Sequence, residues 1–157
     1  MALVFDPQSG RLNAQLWGVA AHEGPGVSLF DGVCEAGDLR GCVEKAEALF
    51  YGRGVAQDQA RAMELNRRTC DGGWARGCNE WAWWRAEEGQ ELDLALKLAQ
   101  KAVSIKPKAA YLDTLAYVHL KRGELDQAEQ QIRRVLELEP DTEVYKKRLE
   151  EILAAGR

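Results

Sequence analysis

Four cysteines give the chain its sharpest chemical spacing. "VCEAGDLRGC" (33–42) and "TCDGGWARGC" (69–78) share Cys, Gly, Gly and Cys in one frame, so Cys34 and Cys42 stand eight apart, as do Cys70 and Cys78, and the pairs are offset by thirty-six. Thiols so placed have three chemistries open to them. A zinc site asks for closer pairs, commonly with histidine, and the two histidines, His22 and His119, fall in no such pattern. Four free thiols packed as small apolar side chains would suit a cytoplasmic protein. A disulfide within each pair would suit a periplasmic or secreted one, and closing a loop of about nine residues contributes about 2.5 kcal/mol by the loop-entropy relation. On a continuous helix, residues eight apart are about 12 Å from each other, too far to bridge, so each pair must bracket a turn. Gly37 and Gly41, and Gly73 and Gly77, supply the freedom for one helix to end and the next to start.

No other constellation points to catalysis. The chain has no phosphate-binding glycine loop followed by Lys-Ser/Thr, no His-Glu-x-x-His, and no nucleophile placed with a base. The expectation is a protein that is not an enzyme, with no metal and no cofactor. Its 157 residues, 46% of them hydrophobic, suffice for one domain with a core. A net charge of −4 argues against nucleic acid or an anionic membrane surface and favours a basic or neutral partner. No run approaches the roughly eighteen apolar residues of a membrane span. The start, "MALVFDPQSG", lacks the basic and apolar regions of a signal peptide, so export would imply a leader already removed.

The elements that position the cysteines follow from periodicity. Ala46, Leu49 and Phe50, then Ala62, Leu65 and Thr69, mark two amphipathic helices separated by Gly52-Arg53-Gly54-Val55, with Asp58 placed to favour the N-terminus of the second. A repeat of this length made of paired helices means a solenoid. This stretch resembles the cysteine-rich Sel-like repeat. The matching positions are Cys42, Ala46, Gly52-Arg53-Gly54-Val55, Asp58, Ala62, Cys70, Gly73, Gly77 and Cys78, with Lys45 departing where that family prefers an apolar residue. The resemblance implies bridges between Cys34 and Cys42 and between Cys70 and Cys78. It also brings the idea of a β-lactam-like small-molecule binder or weak hydrolase, for which no catalytic serine stands out.

After Cys78 the cysteines stop while the period continues. "ELDLALKLAQKAVSIKP" (91–107) aligns with "ELDQAEQQIRRVLELEP" (124–140) at an offset of thirty-three, and each looks like the second helix of a tetratricopeptide repeat. "AAYLDTLAYVHLKRG" (109–123) fits the first helix of that repeat, through Leu112, Leu115, Ala116 and Gly123, and Pro107 and Pro140 end helices. From Asp141 or Thr142 as N-cap, the charged stretch to Arg157 reads as a capping helix. The expected fold is thus all-α, a right-handed α-solenoid of antiparallel helix pairs over residues 27–141, capped by 142–157. Residues 1–26 form an extension in which a short hairpin is expected around Pro7-Gln8-Ser9-Gly10. "GPGVSLFDGVC" looks like a shortened second helix of an incomplete preceding repeat.

Function must then reside on a surface. The concave face of such a solenoid is lined by the first helix of each pair. With Ala46, Ala82 and Ala116 setting the register, Glu47, Trp83 and Tyr117 follow them, and Val43, Asn79 and Asp113 stand three positions before; Arg76 and Lys121 join these rows. Rings beside an amide and a carboxylate suit an extended protein or peptide ligand. The competing reading is packing. Trp81 is expected to fill the core, Trp84 has the alternative of meeting a neighbouring second helix, and His119 reads as a satisfied core histidine. A third class is a purely structural piece of a larger protein.

Overall fold

The computed structural model describes residues 34–157, Gly32, and the backbones of two short strands, β1 (Phe5–Asp6) and β2 (Arg11–Leu12). These strands pair antiparallel, Phe5 opposite Leu12 and Asp6 opposite Arg11. The turn expected between them, and the short helix expected from Gly24 onward, lie outside the described residues. Seven helices follow among those residues: α1 (Leu39–Tyr51), α2 (Gln59–Asp71), α3 (Ala75–Glu88), α4 (Leu92–Ile105), α5 (Ala109–Lys121), α6 (Leu125–Leu138) and α7 (Glu143–Ala155). The all-α helical-repeat class expected from the sequence is the one observed. The chain divides into two compact units, Met1–Met63 and Glu64–Arg157, with the boundary inside α2.

In the first unit, Cys34 and Cys42 are bonded across a corner with their Cα atoms 4.5 Å apart. Gly37 turns the chain at φ +89°, and the Asp38 carboxylate accepts from the Arg40 backbone N–H at 2.8 Å to cap α1. Gly52, left-handed at φ +68°, ends α1 by donating its N–H to the Ala48 carbonyl. Asp58 caps α2, its Oδ1 accepting from Arg61 N–H at 2.9 Å, as its position in the repeat suggests. Lys45, the departure from the Sel-like pattern, is buried.

The second unit opens with the same corner. Cys70, in the last turn of α2, is bonded to Cys78 in the first turn of α3, again at a Cα separation of 4.5 Å. Gly73 supplies φ +79°, and Trp74 N–H reaches back to the Thr69 carbonyl. Gly77 is needed for a different reason. A Cβ there would lie 1.9 Å from Thr69 Oγ1 and 2.8 Å from Thr69 Cβ, so the two helices cross where one has no side chain at all.

Beyond the corner, each helix packs on its neighbours in sequence. Ala82 and Ala86 of α3 meet Ala95, Ala99 and Ala102 of α4, and these small side chains let the two helices approach closely. The helix α5 is apolar on two sides. Tyr111, Leu115 and Val118 enter the cluster built with α3 and α4, whereas Ala109, Leu112 and Ala116 enter a second one with Ala128, Ile132 and Val135 of α6 and Tyr145 and Ile152 of α7. Each large aliphatic side chain so buried contributes about 1.5–3 kcal/mol. Pro107 and Pro140 stand two residues beyond α4 and α6, where neither interrupts a helical hydrogen bond. Thr142 takes the N-cap position of α7 but makes no capping bond; its hydroxyl turns to Glu139 at 3.4 Å.

Two outcomes test this description. Gly77→Ala should destabilise the protein by about 1–3 kcal/mol through overpacking against Thr69, and an unchanged thermal melt by circular dichroism would show a wider crossing. Paired Cys70→Ala and Cys78→Ala substitutions should remove about 2.5 kcal/mol, and reductant, which opens both bonds, about twice that. Intact mass after denaturing alkylation should show four protected cysteines before reduction and none after.

Candidate functional site

The helices α3 and α5 are the first helices of successive pairs, α7 follows as the cap, and α5 packs against both of the others. Helical spacing puts Arg76, Asn79 and Trp83 on one face of α3, and Asp113, Tyr117 and Lys121 on the corresponding face of α5. The two rings meet. Trp83 and Tyr117 stack with centroids 4.7 Å apart and planes inclined by 29°. They hold equivalent positions in consecutive repeats, so one inter-repeat step brings them into register. The Tyr117 hydroxyl donates to Glu87 Oε1 at 2.6 Å, fixing the ring from the α3 side. Burial first, and then that bond to a carboxylate, push the phenol above its ordinary range, so Tyr117 stays a neutral donor.

A side chain from the capping helix completes the arrangement. The Arg148 guanidinium lies 4.3 Å from the Tyr117 centroid and 5.7 Å from that of Trp83, within cation–π range of both. Its Nε donates to Asp113 Oδ1 at 3.3 Å and its Nη1 to Glu151 Oε2 at 2.7 Å. The Arg148 and Asp113 side chains are only 12% and 13% exposed, which separates this pair from the surface ion pairs elsewhere on the chain. Lys121 Nζ also sits 5.2 Å from the Tyr117 centroid. Burial raises the Asp113 carboxyl above the usual range, and the charge and hydrogen bond of Arg148 pull it back.

The expected residues therefore separate. Trp83, Asp113, Tyr117 and Lys121 converge on one cluster. Asn79, one turn before Trp83, is buried, and its Oδ1 accepts no hydrogen bond. Arg76 lies beside Glu80, with 3.8 Å between Nε and Oε1. Glu47 belongs to the first unit, where it binds Arg53 at 2.7 Å. Asp113 is not the open carboxylate that its place in the row suggested, because Arg148 already holds it. Sequence reading missed Arg148 and Glu87. Arg148 sits in a helix whose charge pattern reads as a solvated cap, and only its proximity to α5 reveals it. Glu87 was in principle visible, four positions after Trp83 on the same face.

The tryptophans also redistribute. Trp84 is the fully buried one, whereas Trp81, expected to fill the core, is only partly buried against it. The three-residue difference is a rotation about the α3 axis that the alternation of small and large side chains does not fix. His119 is buried, and its Nδ1 lies 2.7 Å from Glu124 Oε2. Glu124, in turn, accepts from Arg122 at 2.8 Å, and Arg122 also binds Asp93. The hydrogen bond to His119 first, then Arg122, holds Glu124 below the usual carboxylate range. Among the described residues no cluster of His, Cys, Asp and Glu could hold a metal ion, and no helix is long and apolar enough to cross a membrane.

Residues 87–152 match the family model of the tetratricopeptide repeat. The matched segment runs from the end of α3 through most of α7 and therefore includes Tyr117, Asp113 and Arg148. No curated protein matches significantly.

Arg148→Ala should expose the pH dependence of the part-buried pair. Without the guanidinium, the Asp113 carboxyl rises further above its unfolded value of about 4. An acid whose folded pKa is raised is tolerated below the unfolded value and loses stability as pH climbs through the folded one. The variant should thus lose about 1–3 kcal/mol near pH 8, where it leaves a part-buried charge unpaired, and much less near pH 4. Equal losses at both pH values in urea titrations would contradict the assignment.

Proposed function

We propose that this chain, with its tetratricopeptide-type segment over residues 87–152, is a non-enzymatic helical-repeat scaffold that binds a peptide or protein along α3 and α5. The observation that carries this reading is the Trp83–Tyr117 stack on the first-helix face, flanked by Asn79, whose buried carbonyl oxygen has no partner. A buried acceptor left unmatched is costly, and a ligand N–H would satisfy it. An extended peptide offers such donors at regular intervals, and the half-buried Trp83 offers it apolar area. Arg76 and Lys121 flank the strip and help to orient polar groups of the ligand.

The cysteine-bracketed corners support a Sel-like identity for residues 34–78, since the two bonds close identical frames with a left-handed glycine in each. Two disulfides in a chain without free cysteines also favour an oxidising compartment, periplasmic or extracellular, as the place where the partner is met. The net charge of −4 favours a partner that is basic or neutral.

Selection of a randomised peptide library on the immobilised chain, followed by calorimetric titration of the selected peptides, tests the reading. Trp83→Ala should weaken binding at least tenfold, in the range of a central interface aromatic, and leave helicity near that of the unmodified protein. Failure to select any peptide, or unchanged affinity with Trp83→Ala, would remove the α3–α5 face as the binding surface.

A further inference from the structure

The cluster around Arg148 has the composition of a receptor for a guanidinium group. Two stacked rings lie within cation–π range of the charge, and a part-buried carboxylate and an exposed one accept its N–H groups. Arginine suits such a site better than lysine, because its planar group stacks on rings and donates in two directions at once. We propose that Trp83, Tyr117 and Asp113 form an arginine-binding site which Arg148 fills in cis, and that the chain's peptide partner carries an arginine that takes its place. The inference rests on the peptide-binding reading given above and narrows it to one class of ligand.

Three observations favour exchange over a permanent latch. Arg148 is shared between part-buried Asp113 and Glu151, whose side chain is 52% exposed, so a displaced Arg148 keeps a partner on the solvent side without any movement of α7. The local charge also matches: Glu87, Asp113 and Glu151 against Arg148 and Lys121 leave one negative charge, which an incoming guanidinium neutralises. Finally, the buried Asn79 stands one turn from Trp83 with an unpartnered acceptor, near where the backbone flanking such an arginine would run. Lys121 is the competing cation at the Tyr117 ring. It is exposed and makes no hydrogen bond to Asp113 or Glu87, so it can swing away as the site is occupied.

The test uses the full chain and short capped peptides differing at one central position, Arg, Lys or Gln, with affinities measured by titration calorimetry. Arg148→Ala should bind the Arg peptide about tenfold more tightly than the unmodified protein does. The Arg peptide should also raise the Tm of that variant, and the Lys and Gln peptides should do neither. Arg148→Gln, which keeps a hydrogen-bonding group near Asp113, provides the same comparison in a better-supported fold. Adding Trp83→Ala to either variant should abolish the gain. Arg and Gln peptides binding the variants equally would overturn the guanidinium site and leave the peptide-binding face standing. No gain of Arg peptide over the unmodified protein would likewise overturn it, and no binding of any peptide to any form would overturn both.

Discussion

Helices of thirteen or fourteen residues are marginal by themselves in water, because nucleation is costly and each turn gained returns little. Every helix of the second unit must therefore bury its apolar stripe on others, and the unit is held together by contacts between consecutive helices and by those of α5 with α3 and α7. This constraint explains the distribution of residue types. Alanine lines the α3–α4 contact, where close approach gives the most packing, and aliphatic residues fill the wider spaces around α5 and α6. The double-sided apolar surface of α5 is the direct result of its place between two pairs. The cap α7 buries Tyr145 and Ile152, turns Arg148 onto α5, and leaves most of its other charges outward.

The cysteine corners answer a related problem at the other end of the chain. A crossing as close as that at Gly77 removes side-chain contacts that would otherwise define its angle, and the Cys70–Cys78 bond restores the definition covalently. The first corner repeats the device with Cys34 and Cys42. After α3 the cysteines cease, and the helices that follow are joined by side-chain packing.

The candidate site inherits its geometry from this packing. Neither ring belongs to a loop, so Trp83 and Tyr117 are held by the same inter-repeat step that builds the core. The polar groups around them are held less uniformly. Tyr117 and Glu87 are fixed to each other, Arg148 bridges a part-buried and an exposed carboxylate, and Asn79 retains a buried, unpartnered acceptor. A rigid aromatic platform edged by partly satisfied polar groups is suited to binding, because the platform loses little entropy and the edge has hydrogen bonds still to make.

Much of this was written in the sequence. The doubled Cys-Gly-Gly-Cys frame, the helical periodicity, and the prolines after α4 and α6 determined the element order, because each acts within a few residues of itself. The rows containing Trp83 and Tyr117 followed from helical period and repeat register for the same reason. What the sequence left open depends on rotation and on distant neighbours. Whether Trp81 or Trp84 is the buried ring is a matter of tens of degrees about the α3 axis, and tertiary contact decided it. Asp113 read as an open carboxylate because its partner is thirty-five residues away on a helix whose charges look fully solvated. Local pattern fixes which face a residue occupies; only the packed structure decides what stands opposite it.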